Sequence, residues 1–287
     1  MINKPLFVGI ACMAFGMVLI PVGDAIGRVI VRGSEHTPMF VAWSRFMIGA
    51  AIVLPLALWM KVVRHYPAAF YYKQAVRGAF IAGTITLIIT AVSKSPLADV
   101  FGAFFIGPAL SVVFSSVFLR EKASTRDWLA VIVGFIGVLM VVQPNTSVGP
   151  GIPWALAAGV CYGAFLTSTR WAAGSAPPVA QLLVQLLFGC LFLLPFGIAE
   201  FLRIGLQMPQ LLIYSALTSG VANLVSIIAI GLAPTALLAP VVYLQIVSAT
   251  FIGLVFFKDP INVLTMAGLV LIMSTAALRI PSRAKRM

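Results

Sequence analysis

Arg45 sits inside an apolar stretch, residues 38–60, where a cation is expensive to hold. Seven residues past Pro38, at 1.5 Å per helical residue, it lies about 10 Å from the start of its helix. A guanidinium at that depth can meet the carboxylate of a small substrate. It can equally be structural, held by helix-end carbonyls or paired with Asp24 or Asp99. No other charged residue falls clearly inside an apolar run: the seven acids, Asp24, Glu35, Asp99, Glu121, Asp127, Glu200 and Asp259, all fall at or near run ends. No carboxylate therefore stands near a run centre, where it could carry a proton, with Asp24 and Asp99 in reserve should the runs extend.

Uncharged hydrogen-bonding groups are more numerous near the expected midplane. They are Thr84, Thr86, Ser111, Tyr162, Gln185, Asn223, Tyr243 and Gln245, with Phe104 and Phe105 as an apolar wall. Any one of them can be a plain interhelical hydrogen bond worth about 1 kcal/mol or less. As a group they suit a zwitterionic or mostly apolar ligand, whereas a phosphorylated sugar needs several buried cations and Arg45 stands alone. Pro21, Pro108 and Pro240 lie within runs, free backbone groups and are the hinge candidates. Cys12, Cys161 and Cys190 fall in apolar segments and His36 and His65 in loops. That distribution offers no metal spacing and no Ser-His-Asp arrangement. No catalytic residue, metal or cofactor is expected.

The elements that must position these groups follow from composition. Hydrophobic residues make up 61% of 287 and charged residues 9%, against about 45–50% and about 25% in soluble proteins. With a mean hydropathy of +1.09, the surface belongs in lipid. Ten apolar runs, each about as long as a span requires, cover 5–23, 38–60, 74–93, 96–119, 125–142, 151–171, 177–199, 210–231, 234–257 and 262–279. The expected fold is an all-α polytopic membrane protein of ten transmembrane helices. The lipid bilayer is its main partner. The first run lacks a small-x-small site before Asp24 and is expected to stay as an uncleaved helix.

A net charge of +12 would suggest nucleic acid in a soluble protein, but no basic stretch here interleaves with stacking aromatics, so nucleic-acid binding is excluded. The basic residues orient the chain instead. With the N-terminus inside, Lys4, Lys61, Arg64, Lys73, Arg77, Arg120, Lys122, Arg126, Arg170, Arg279, Arg283, Lys285 and Arg286 face the cytoplasm. Arg28, Arg32, Lys94, Arg203 and Lys258 face outward. Thirteen against five is a positive-inside bias, with both termini cytoplasmic.

The chain also repeats. Pro38, Gly49, Leu54 and Pro55 recur as Pro178, Gly189, Leu194 and Pro195, an offset of 140. Pro96, Ala98, Phe118, Arg120 and Glu121 correspond to Pro234, Ala236, Phe256, Lys258 and Asp259, an offset of 138. The implied units are 1–147 and 148–287, with Gly149-Pro150-Gly151-Ile152-Pro153 as linker. Five helices per unit is odd, so the second unit enters the bilayer from the other side: two inverted repeats. That is the architecture of alternating-access transporters with a site near the midplane. Small residues on the fifth and tenth helices, Gly134 with Gly137 and Gly268 with Ser274, are where a homodimer would form, although neither pair has small-xxx-small spacing.

The stretch Leu119-Arg120-Glu121-Lys122-Ala123-Ser124, followed by Gly134 and Gly137, resembles the EamA-type drug/metabolite transporter superfamily. So do Phe257-Lys258-Asp259-Pro260 with Gly268, Pro38 with Arg45, and Pro108. The second half departs from the pattern: Asp259 replaces the usual Glu, Ile246 stands where a proline matching Pro108 is expected, and Gln185 matches Arg45. The resemblance implies a ten-helix inner-membrane carrier exporting amino acids or other small metabolites, most like the aromatic amino acid exporters. The expected substrate-binding residues are Arg45, Thr84, Phe104, Ser111, Tyr162, Gln185, Asn223, Tyr243 and Gln245. The alternatives are a membrane-embedded scaffold or enzyme, for which no buried catalytic cluster is present, and a channel, for which no charge ring or filter loop is present.

Overall fold

In the computed structural model, residues 4–120, 124–143, 149–232 and 238–279 are described. The expected Glu121–Lys122 turn, Pro234, Ala236 and the basic tail at 283–286 lie outside them. The helices are α1 (Lys4–Gly33), α2 (Pro38–Trp59), α3 (Ala68–Lys94), α4 (Leu97–Phe104) and α5 (Ile106–Phe118). They continue with α6 (Thr125–Val142), α7 (Ile152–Trp171), α8 (Pro178–Ile204) and α9 (Pro209–Leu232). A 3-10 turn (Ala239–Tyr243), α10 (Leu244–Ile252), a π-helical turn (Gly253–Phe257) and α11 (Val263–Arg279) complete the order. Counting each broken helix once, the described residues form ten helices.

Local chemistry explains several boundaries. Thr37 caps α2 by accepting from the Phe40 N–H, with Pro38 at the first helical position where its missing N–H does no harm. Ser124 and Asp127 form a capping box on α6. Gly205, at φ +68°, ends α8 in a conformation a side chain resists. The fourth helix breaks at Phe105 because Pro108 has no N–H to return to the Phe104 carbonyl.

The first helix takes the longer extent that the sequence left open, beyond its apolar run. The apolar run ends at residue 23, but α1 continues to Gly33 and carries Asp24, Arg28 and Arg32 within it. Asp24 lies nine residues before that end, about 14 Å along the axis. Helix persists through the charges because two of them are buried against partners rather than drawn to the surface.

Among the described residues, six stretches are long and apolar enough to cross a membrane: Pro5–Gly33, Pro38–Trp59, Ala68–Lys94, Leu97–Phe118, Ile152–Ala172 and Pro178–Ile204. Three apolar helices are shorter, Asp127–Val142, Val241–Phe257 and Val263–Thr275, the first two close to the lower limit of about 17 residues for a span. Phe40, Phe46, Phe101, Ile89, Ile246 and Ile272 are among the largest fully buried side chains. Phe118, Phe256 and Trp59, 74–80% exposed, present an exterior that only lipid accepts.

The main packing partners are α1 with α9, α3 with α7, α2 with α8 and α6 with α11. Behind them come α2 with α9, α3 with α8, α1 with α10, and both α4 and α5 with α7. The α6–α11 contact takes up Gly137 and Gly268, two of the small residues considered for a dimer, while Ser274 stays exposed. A Cβ on Gly137 would lie 2.9 Å from the Gly268 carbonyl, and one on Gly268 would lie 2.7 Å from the Gly137 carbonyl. These glycines let two backbones of the same chain touch.

Candidate functional site

Arg45 extends from α2 toward α1. Its NH1 donates to Asp24 Oδ1 at 2.6 Å, its Nε donates to Ser215 Oγ at 2.8 Å, and its NH2 donates to the Gly23 carbonyl. Ser215 on α9 in turn donates to the Gly23 carbonyl at 3.2 Å. Gly27, one turn past Gly23, leaves the space: a Cβ there would lie 3.0 Å from the guanidinium. The guanidinium therefore ties α1, α2 and α9 together and is the structural ion pair with Asp24.

It also closes one end of a cleft. Arg45, Phe46, Gly49 and Val53 of α2, Ile85 of α3, Leu186 of α8 and Ser219, Gly220 and Asn223 of α9 line a narrow cleft of about 20 Å³, room for about one water in this closed state. The walls are apolar; the polar groups are Arg45, Ser219 and Asn223. Asn223 is exposed, and its Nδ2 donates to the Ser219 carbonyl at 2.9 Å, a contact that does not use its Oδ1 acceptor.

Of the expected site residues, the cleft brings Arg45 and Asn223 together. Gln185, the residue beside Leu186, is 4% exposed and its Oε1 has no partner. Thr84 and Ser111 spend their hydroxyls on their own helices, at the Phe80 and Pro108 carbonyls, both at 2.8 Å. Tyr243 shares a hydrogen bond with Thr275 at 2.7 Å, and the Gln245 amide donates to Met17 Sδ at 2.9 Å. Phe104 packs on Tyr162 with ring centroids 4.9 Å apart, and Phe105 on Tyr243 at 5.3 Å. These last residues form a packed aromatic layer where the fourth and ninth helices break, away from the cleft. Pro108 follows the first of those breaks and Pro240 lies in the 3-10 turn of the second, while Pro21 sits in an α1 that continues past it.

Arg45 is not the one charge in the interior, which corrects the sequence reading. Asp24, Arg28 and Arg77 are buried as well. Arg28 on α1 grips Asp259 with NH1 at 2.6 Å and NH2 at 2.9 Å and lies over the Phe257 ring at 4.2 Å. Asp259 also accepts from the Leu97 N–H at 3.0 Å, at the start of α4. Arg77 is buried because α3 starts at Ala68, two turns before the apolar run at 74. The spacing of Asp24 and Arg28, four apart, held a signal for this inward face once the helix is extended through them. Nothing local pointed to Asp259.

At the end of the bundle that holds Asp259, Glu200 on α8 accepts from the Thr37 N–H at 2.9 Å and the Thr37 hydroxyl at 2.6 Å. Its third contact is His36 Nδ1 at 3.0 Å. Because the Gln207 N–H donates to His36 Nε2 at 3.0 Å, Nδ1 carries the proton and donates to Glu200.

Protein RarD of Escherichia coli (strain K12) is 30% identical over 101 residues, 35% of this chain and 34% of that protein. The uncharacterized transporter YxxF of Bacillus subtilis (strain 168) is 22% identical over 191 residues, 64% of this chain and 57% of that protein. The chain thus spans about a third of the first relative and just over half of the second. A solved crystal structure superposes with a TM-score of 0.65 at 17% identity, over 97% of this chain and 99% of the other, and shares the fold. The EamA-like transporter family matches twice in succession, at residues 6–143 and 149–280. This multi-pass membrane protein belongs to the EamA-like transporter family.

Proposed function

We propose that the protein is a secondary transporter exporting small metabolites, foremost amino acids with apolar or aromatic side chains, across the inner membrane. It works by alternating access between two inverted five-helix halves, with both termini cytoplasmic. The observation that carries the substrate reading is the cleft headed by Arg45. A cation at one end, an amide acceptor and apolar walls suit a zwitterion with an apolar side chain. Arg45 keeps Asp24 as its resting partner, so a substrate carboxylate has only to share an already desolvated guanidinium.

Three features support the inverted halves. The family pattern divides the chain at the linker expected from the repeat. Exchanging the halves maps the α1–α9 contact onto α7–α3, α2–α9 onto α8–α3, and α1–α10 onto α7–α5, while α2–α8 and α6–α11 map onto themselves. Phe46 and Leu186, offset by 140, both line the cleft, and each packs against a glycine of the other helix, Gly189 and Gly49, offset likewise. A site at the interface of the repeats is where alternating access requires it.

Counterflow into liposomes containing the purified protein tests this. Labelled phenylalanine should accumulate transiently against internal unlabelled phenylalanine, and Arg45→Ala and Asn223→Ala should slow it about tenfold. Absence of counterflow for every amino acid tried sinks the substrate, and unchanged flux in both variants sinks the site. A facilitator or exchanger accumulates nothing in response to an imposed pH gradient alone; accumulation would mean proton coupling through Asp24.

A further inference from the structure

Among the described residues, three arginines are buried: Arg28 and Arg45, each 4% exposed, and Arg77, 7% exposed. The first two each hold a carboxylate at 2.6 Å. Arg77, on α3, meets neutral groups only. Its Nε donates to Thr169 Oγ1 at 3.1 Å, and its NH1 donates to Gln74 Oε1 at 2.5 Å and to Gln181 Oε1 at 3.2 Å. The Phe165 ring lies 5.6 Å away. None of these contacts uses NH2. The described acids are engaged elsewhere: Asp24 on Arg45, Asp259 on Arg28, Glu200 on His36 and Thr37, Asp99 on Thr265, and Asp127 in the α6 cap. Glu35 lies in the loop before α2, at the opposite end of the bundle. Among the described residues, Arg77 is therefore a buried cation without a carboxylate, a state that a protein interior disfavours.

A second observation sits beside it. Gln74 is fully buried, and since its Oε1 is committed to Arg77, its amide Nε2 is turned to the same neighbourhood. That nitrogen has no acceptor. An orphan amide next to an uncompensated guanidinium is one missing anion seen from two sides.

The surroundings indicate which anion. Arg77 is one turn into the bundle from Lys73, which lies over the Trp171 ring at 5.1 Å. Trp171 and Tyr72, both exposed, meet edge to face at 5.9 Å. Indole and phenol rings beside basic side chains at helix ends mark the headgroup level of a bilayer. Basic pockets between helices at that level take lipid phosphates.

We propose that Arg77, with Gln74, Gln181 and Thr169, forms a binding site for a phosphate oxyanion between α3, α7 and α8, supplied by an anionic lipid headgroup or by free phosphate. The site is separate from the cleft at Arg45 and does not depend on the transport reading.

The test compares the full chain in three settings: nanodiscs of phosphatidylcholine, the same discs with inorganic phosphate added, and discs containing phosphatidylglycerol. Phosphatidylglycerol should raise the melting temperature, and native mass spectrometry should find it retained in preference to phosphatidylcholine. Arg77→Gln should abolish the rise and cut retention about tenfold, the scale of one charge-assisted contact. Lys94→Gln, at the other end of the bundle, should change neither. If Arg77→Gln does not fold, Gln74→Leu keeps the cation, removes the orphan donor, and should reduce retention by about threefold. A rise with phosphatidylglycerol alone identifies the lipid as source; an equal rise with inorganic phosphate identifies the free ion. Identical melting of the wild type in all three settings overturns the site, as does a variant that responds like the wild type.

Discussion

At Arg45, one side chain is asked to hold a fold together and to face a cleft. The energetics of its ion pair can be separated from its service to a ligand. Arg45→Ala leaves the Asp24 carboxylate buried without its cation, which costs about 3–5 kcal/mol, and the melting temperature in detergent should fall accordingly. Arg45→Gln combined with Asp24→Asn leaves no orphan charge and should recover most of that loss while transport stays impaired. A double variant as unstable as the single one would mean that the pair is not what stabilises this region. The sequence made Arg45 visible because a charge in an apolar run is rare and costly, and it offered Asp24 among the partners. It hid Arg28 and Arg77, because buried charges beside a run's edge read as ordinary ends until their partners are known. The partner of Arg28 lies 231 residues away, beyond the reach of any local pattern.

Among the elements, the two broken helices differ from the rest. The gap at Phe105 is chemical: Pro108 lacks the N–H that would close the turn on the Phe104 carbonyl. Pro108→Ala supplies that donor, and a continuous helix should raise stability by about 1 kcal/mol. Counterflow should slow several-fold if bending here accompanies the change of access. Unaltered flux would show the break to be mere tolerance, and a lower melting temperature of the variant would show that the break itself is stabilising. Span lengths and proline positions were legible because both are local properties of the chain. The rotation of each helix about its axis was not, since it is fixed by neighbours. Thr84 and Ser111 therefore looked like candidate ligands, whereas each returns its hydroxyl to a carbonyl one turn back. Tyr243 and Gln245 likewise turn to Thr275 and Met17.

On the scale of the whole molecule, one end of the bundle is fastened by Asp259, which joins the first helix, the start of α4 and the turn after the ninth helix. Glu200 fastens α2 to α8 at that end, and Asp99 accepts from Thr265 at 3.1 Å. Weakening such a latch shifts the population toward the state open on that side. With Cys12, Cys161 and Cys190 replaced by alanine, a Ser95→Cys reporter, at a buried position, should react slowly with a membrane-impermeant maleimide. Adding Asp259→Asn should speed the reaction about tenfold. Equal rates would mean that the fastening is redundant with the Glu200 contacts. The Arg28–Asp259 pair also sets an order of events in biosynthesis. The first helix is made with its arginine unmatched, and the matching carboxylate leaves the ribosome 231 residues later. At about 5–20 residues per second, that is a delay of roughly 10–50 s. Throughout that interval α1 carries an uncompensated charge, so a chain cut short before Asp259 is left with a helix that has reason to slip back toward water.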